Sequence, residues 1–266
     1  MISAQIEQIA RELEDALSEA VPKAYQLGIE KPRSPEKLKV LHNCIAEAIR
    51  KIAGVDFEVH SFKPKQSGGE LSVQGKYYDK STDITVVVKD NHDKVVLVIS
   101  VKFALSNYQQ NAVNYFETLM GETANLQRQN IPVIHFICLT HPIPYKANAE
   151  EDNKLESIKN EDIAKHRKLV ADISEKRDHN PRGICFQFFT LQIKSKPVIV
   201  NKGRKNERSK KVPSKENILN SRITGQQAPA GLGLSKENVL FLQEEASLRR
   251  FIETATLIIE EARGRL

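Results

Sequence analysis

Nowhere in its 266 residues does the chain carry an apolar run of the roughly 18 residues that a membrane-crossing helix needs. The opening stretch, MISAQIEQIARELEDALSEA, mixes acids with apolar residues and lacks the basic start and apolar centre of a secretory leader. Cysteine is scarce: Cys44, Cys138 and Cys185 are odd in number and far apart, which suits reduced thiols better than a disulfide framework and matches no zinc spacing. No internal repeat is visible. These absences lead to the expectation of a cytoplasmic protein with no membrane partner.

What is present supports a folded core. Apolar residues make up 40% of the chain and charged residues 28%, ordinary values for a globular protein. The net charge of +6 is unevenly placed. Segment 201–215, NKGRKNERSKKVPSK, holds seven Lys or Arg residues against one Glu. Such a cluster is either a solvated loop or a grip on a polyanion, where each phosphate neutralised releases counterions.

Hydrophobic periodicity orders the rest. Ile6, Ile9, Leu13, Leu17 and Val21 predict a helix over residues 3–27. Ser34 before Pro35 starts a second helix, striped by Leu38, Leu41, Ile45, Ala48 and Ile52 and ended by Gly54. VDFEVHSF (55–62) alternates as a strand, and a loop, KPKQSGGE, follows. TDITVVV and KVVLVISVKF then flank the turn KDNHD and read as a β-hairpin. A helix over 107–129, a buried strand over 131–140, a charged helix over 155–177 and a buried strand over 183–193 complete the middle of the chain. A single C-terminal helix is expected over 236–263. This order predicts an α/β fold, a mixed β-sheet flanked by helices with N- and C-terminal helical extensions. The corresponding divisions are a helical extension over 1–34, a core over 35–200, a basic, Gly/Pro-containing loop over 201–235 and a C-terminal helix over 236–266.

The hairpin carries the chemistry. Alternation puts Val98, Ser100 and Lys102 on one face of their strand, and Leu97, Ile99, Val101 and Phe103 on the core face. An ammonium closing an apolar strand needs an anionic partner. Asp83, opening the neighbouring strand, supplies one if the two strands pair antiparallel. The plain alternative is an ion pair at a sheet end.

This hairpin resembles the PD-(D/E)xK nuclease superfamily, reading Thr82-Asp83, a 16-residue gap, then Ser100-Val101-Lys102. Thr82 stands where the family has proline, and Ser100 where it has a second acid. The Ser-x-Lys form is similar to that of CCGG-cutting type II restriction endonucleases, in which a glutamate of the following helix fills the vacated place. Glu117 and Glu122 are the candidates here. At about 100° per residue, Glu117 falls at the margin of the apolar face made by Ala112, Val113, Phe116, Leu119 and Met120, while Glu122 projects toward water. Glu117 is therefore the expected ligand. The helix NCIAEAIRKIAG resembles one whose glutamate joins the metal site in such nucleases, with Glu47 as the counterpart; a surface glutamate is the alternative.

The resemblance, which covers roughly residues 40–140, implies a restriction-endonuclease-like fold and Mg²⁺ held by Asp83, Glu117, the Val101 carbonyl and Glu47. It implies that Lys102 stabilises the attacking hydroxide or the phosphorane charge, and that Ser100 keeps geometry or holds a water. It further implies double-stranded DNA as substrate, a homodimer and a protecting DNA methyltransferase as functional partner. Asn107, Gln109, Gln110 and Asn111, at the start of the helix after Lys102, are candidate DNA contacts; helix capping by Ser106 or Asn107 is the alternative. Arg182, Arg204, Lys205, Arg208, Lys210 and Lys211 are candidate phosphate or base contacts. His135, Cys138 and Cys185 read as packed core, and His42, His60 and His92 lack metal spacing. Two rivals remain: a superfamily relative acting in DNA repair, recombination or tRNA processing, and a non-catalytic nucleic-acid-binding protein.

Overall fold

A computed structural model of the chain describes residues 2–30, 36–62, 70–104, 107–145, 154–172, 178–192, 198–200, 210–212 and 221–266. Helices α1 (Ile2–Glu30) and α2 (Glu36–Ala53) lead into β1 (Phe57–Ser61), a short hairpin of β2 (Leu71–Gln74) and β3 (Asp79–Thr82), then β4 (Ile84–Val88) and β5 (Asn91–Ala104). Helix α3 (Tyr108–Gln127), β6 (Val133–His141), β7 (Ile143–Tyr145), β8 (Lys154–Glu156), α4 (Asn160–Ala171) and β9 (Gly183–Gln192) follow. The chain continues through β10 (Val198–Val200), β11 (Lys210–Val212), β12 (Arg222–Gln226), a 3-10 turn, α5 (Lys236–Glu244) and α6 (Leu248–Arg263).

Six strands form one mixed sheet in the order β1-β4-β5-β6-β9-β12. β4 runs antiparallel to both β1 and β5, β5-β6-β9 are parallel, and β12 closes the edge antiparallel to β9. The alternation of β5 separates the two layers as the sequence predicts. Leu97, Ile99 and Val101 pack with Leu13, Leu17, Val21, Ile45, Ile49, Phe251 and Ile258, so α1, α2 and α6 share one face of the sheet. On the other face, Ile137, Phe186 and Phe188 pack with Ala112, Leu119, Ile163 and Phe241 of α3, α4 and α5. α1 thus buries its stripe in the same core as the sheet, and burial of each such Leu or Val contributes about 1.5–3 kcal/mol.

Three local features differ from the sequence reading. The β4–β5 turn is only Lys89-Asp90, with Asp90 at φ 61°, so residues 91–93 belong to β5. The C-terminal helix is two helices, because the Ser247 side chain caps a new start by accepting from the Arg250 N–H at 3.2 Å. Hairpin β2–β3, with the outward residues typical of an edge ribbon, occupies a stretch to which the sequence reading assigns no element before TDITVVV.

Strand lengths create the site. β4 begins at Ile84, opposite Ile99, so Ser100–Ala104 of β5 run past it while still pairing with β6 from Ser100↔His135 to Ala104↔Leu139. That overhang leaves backbone groups on the β4 side of β5 without a strand partner, and a buried N–H there requires another acceptor.

Candidate functional site

Asp83 fills the gap. It sits at the bend between β3 and β4, and its Oδ2 accepts the Val101 N–H at 2.7 Å. The carbonyl of a strand residue points to the same side as its N–H, so the Val101 carbonyl lies on the Asp83 side of β5. Thr82, in the place of proline, is buried and donates its hydroxyl to the Leu71 carbonyl at 2.9 Å, which anchors the bend to β2.

The second carboxylate is Glu122 rather than Glu117. Glu122 is 6% exposed and receives the Ser100 hydroxyl at 3.2 Å, with Lys80 at 2.8 Å and Lys102 at 3.5 Å from its Oε1. Lys102 therefore finds its anionic partner on α3, not directly in Asp83 as the sequence suggests. Burial alone would raise the Glu122 carboxyl, but Lys102 and Lys80 outweigh it and hold it below its ordinary value. For Lys80, burial pulls the ammonium down and Glu122 more than restores it, so its pKa lies above the ordinary one. Asp83, Ser100, Glu122, Lys80 and Thr82 line one small pocket with Val98, Leu126 and Val133.

Glu117 is exposed, about 140° around the helix from Glu122. The buried stripe of α3 in this region is Leu119, Glu122, Thr123 and Leu126, with Asn125 beside it. Val113, assigned from sequence to the apolar face, is 62% exposed. The wheel went astray because this face meets polar groups: Glu122 meets Ser100, Thr123 bonds His135 Nε2 at 2.8 Å, and Asn125 holds the 75–78 turn. A search for apolar residues misses a buried stripe built from carboxylate, hydroxyl and amide. Glu47 is likewise exposed, paired with Arg50 on its own helix.

The residue that α2 sends to the site is His42. It is fully buried, its Nε2 lies 4.0 Å from Asp83 Oδ1, and neither ring nitrogen has a hydrogen-bond partner among the described residues. Burial, reinforced by Lys102, depresses its pKa in spite of Asp83, so the ring is neutral and can offer a lone pair. Glu70, just before β2, completes a cluster in which ligand atoms of His42, Glu70 and Asp83 all lie within 4.8 Å of one another. The Glu70 carboxyl is raised by burial and then by the neighbouring Asp83 charge. The signal for His42 was its place between Leu41 and Ile45 on the apolar stripe, where a polar side chain calls for a partner. Nothing in the sequence pattern marks Lys80 or Glu70.

The expected DNA contacts divide. Gln110 is exposed on the first turn of α3. Asn107 occupies the N-cap position at φ 57° without a side-chain cap bond. Gln109 is instead committed within the chain, to Asp162 and to the Ser157 carbonyl at 3.2 Å, and Asn111 donates back to the Asn107 carbonyl at 2.9 Å. Gln109 is thus held by the start of α4, and Asn111 by the first turn of its own helix. Arg182 lies at the opening of β9, 3.9 Å from Glu261. Arg204, Lys205 and Arg208 lie outside the described residues, and of Lys210 and Lys211 only their place in β11 is described. His135, Cys138 and Cys185 are core, as the sequence indicates.

No helix among the described residues is long and apolar enough to cross a membrane. Comparison of the chain with protein-family models, with curated proteins and with solved structures finds no match.

Proposed function

We propose that the protein is a Mg²⁺-dependent endonuclease of the PD-(D/E)xK kind that hydrolyses phosphodiester bonds of double-stranded DNA, acting as a type II restriction enzyme. The observation that carries this reading is the convergence of Asp83, Glu122, Ser100 and Lys102 at the β5 overhang. The helix–three-strand–helix–strand path through α2, β1, β4, β5, α3 and β6 agrees with a restriction-endonuclease-like core.

The donor set fits a divalent cation. His42 presents a buried, unpartnered imidazole toward Asp83, and two carboxylates, Asp83 and Glu70, lie close enough to raise the Glu70 pKa, a repulsion that a cation relieves. Asp83, Glu70 and the Val101 carbonyl would hold the ion, with His42 and Glu122 at hand. When bound, the ion supplies Lewis acidity and lowers the pKa of a bound water. Lys102 brings a fixed positive charge to meet the charge that develops on the phosphate. Glu122 holds Lys102 and Lys80 in place, and Ser100 orients Glu122 through its hydroxyl. Cutting both strands of a palindrome calls for two such sites and hence a homodimer, and a DNA methyltransferase would protect the host.

The test is incubation of plasmid with Mg²⁺, wild type beside Lys102→Ala, with the ends of any fragments sequenced. The reading expects scission at one recurrent sequence by wild type alone. Scission at scattered positions would move the protein to a repair or recombination nuclease. Tight DNA binding with no scission, in EDTA as in Mg²⁺, would make it a binding protein.

A further inference from the structure

A second cluster of ligating side chains lies at the sheet edge, on β1 and the start of β5. Glu58 and His60 are two apart on β1, so both project from the same face, opposite the buried Phe57, Val59 and Ser61. His92 reaches them from across β4, and the backbone explains how. Val87 pairs with Val95 and the next residue, Val88, with Asn91, so three residues of β5, His92–Lys94, bulge out between two consecutive pairs. Bulges of this kind re-aim side chains at sheet edges. This one brings His92 Nε2 to 3.2 Å from Glu58 Oε2, with His60 Nε2 at 3.6 Å from the same oxygen. The two imidazoles stand edge to face, 4.9 Å between centroids.

We propose that Glu58, His60 and His92 form a binding site for a Zn²⁺-class ion. Two donors at about 2.0–2.1 Å from one tetrahedral zinc are about 3.3 Å apart, and the nitrogen–oxygen separations here bracket that figure. All three ligand atoms lie within 4.8 Å of one another, so a small side-chain movement seats an ion. Two imidazoles and one carboxylate select zinc or nickel over magnesium. Partial exposure, 24% for His60, 39% for Glu58 and 54% for His92, leaves a fourth position to water and an open path for entry. The ion ties edge strand β1, which among the described residues pairs only with β4, to the opening of β5. This site stands apart from the carboxylates at the β5 overhang and does not depend on the nuclease reading.

The experiment is competition of tag-free protein with a chromophoric chelator for Zn²⁺, in an Asp83→Asn background that disables the other cluster. One equivalent of zinc is expected, with a rise in thermal midpoint on zinc addition. His92→Ala, an exposed position, should leave the metal-free midpoint unchanged, weaken zinc at least tenfold and remove the zinc-dependent rise. Glu58→Gln should weaken it less. Zinc affinity equal in the Asp83→Asn parent and its His92→Ala derivative, or no zinc uptake by the parent, would overturn the proposal.

Discussion

Exchanging one glutamate of α3 for its amide separates the two carboxylates sharply. Glu122 is 6% exposed and neutralises Lys80 and Lys102, each with 29% of its side chain exposed. Breaking a fully buried pair by removing one partner costs about 3–5 kcal/mol. Partial exposure of both lysines lets water take up part of that charge, so Glu122→Gln should lower unfolding free energy by about 1–3 kcal/mol. The same change frees Lys102 to move and removes an acid from the pocket, so cleavage should fall by about 10²–10³ or more. Glu117→Gln removes a solvated charge and should shift stability by no more than about 0.5 kcal/mol, with cleavage unchanged. The assays are urea denaturation and single-turnover plasmid cleavage on both variants. A crippled Glu117→Gln beside an active Glu122→Gln would refute this assignment of the site.

Three further outcomes follow from the packing. Leu17, fully buried between α1 and the sheet, should cost about 2–5 kcal/mol in denaturant stability when cut to alanine, and a negligible loss would mean that α1 is dispensable to the core. At Gly75 an added Cβ would lie 2.0 Å from the Asn125 amide nitrogen, and that amide is held by the backbone of Tyr77 and Tyr78; Gly75→Ala should therefore lower the thermal midpoint, by about 1–3 kcal/mol of stability. His166, buried between the Phe116 and Phe186 ring edges, has its pKa pushed down to about 4 by burial. A depressed folded-state pKa means that its contribution is whole above the unfolded value near 6.5 and lost as pH falls toward 4, up to about 3 kcal/mol. Denaturation curves of His166→Phe should show a weaker fall in stability between pH 6.5 and 4.5 than wild type, and identical falls would contradict the assignment.

The β5 strand shows what was legible. Its apolar alternation, its closing Lys102 and the acid opening β4 are local patterns, and the burial of Leu97, Ile99 and Val101 on one face follows from period two alone. Strand overhang is not local. It depends on where β4 begins relative to β6, so the capture of the Val101 N–H by Asp83, in place of a direct Asp83–Lys102 pair, emerges only in three dimensions. Glu122 was misplaced because its helix face is buried against polar groups, which reverses the sign of the hydrophobic signal. His42 on α2 and Glu70 just before β2 stand far apart in the sequence, and only the fold brings both to Asp83. The bulge at His92–Lys94 hid in what reads as an ordinary turn.

The central claim is that Asp83 anchors a cation at the end of β5 for phosphodiester hydrolysis. Its most direct test is the single-turnover rate of plasmid cleavage in Mg²⁺ by Asp83→Asn against wild type, with DNA affinity measured in parallel in EDTA. The account expects the rate to vanish while affinity holds. A variant that cuts as fast as wild type would contradict it.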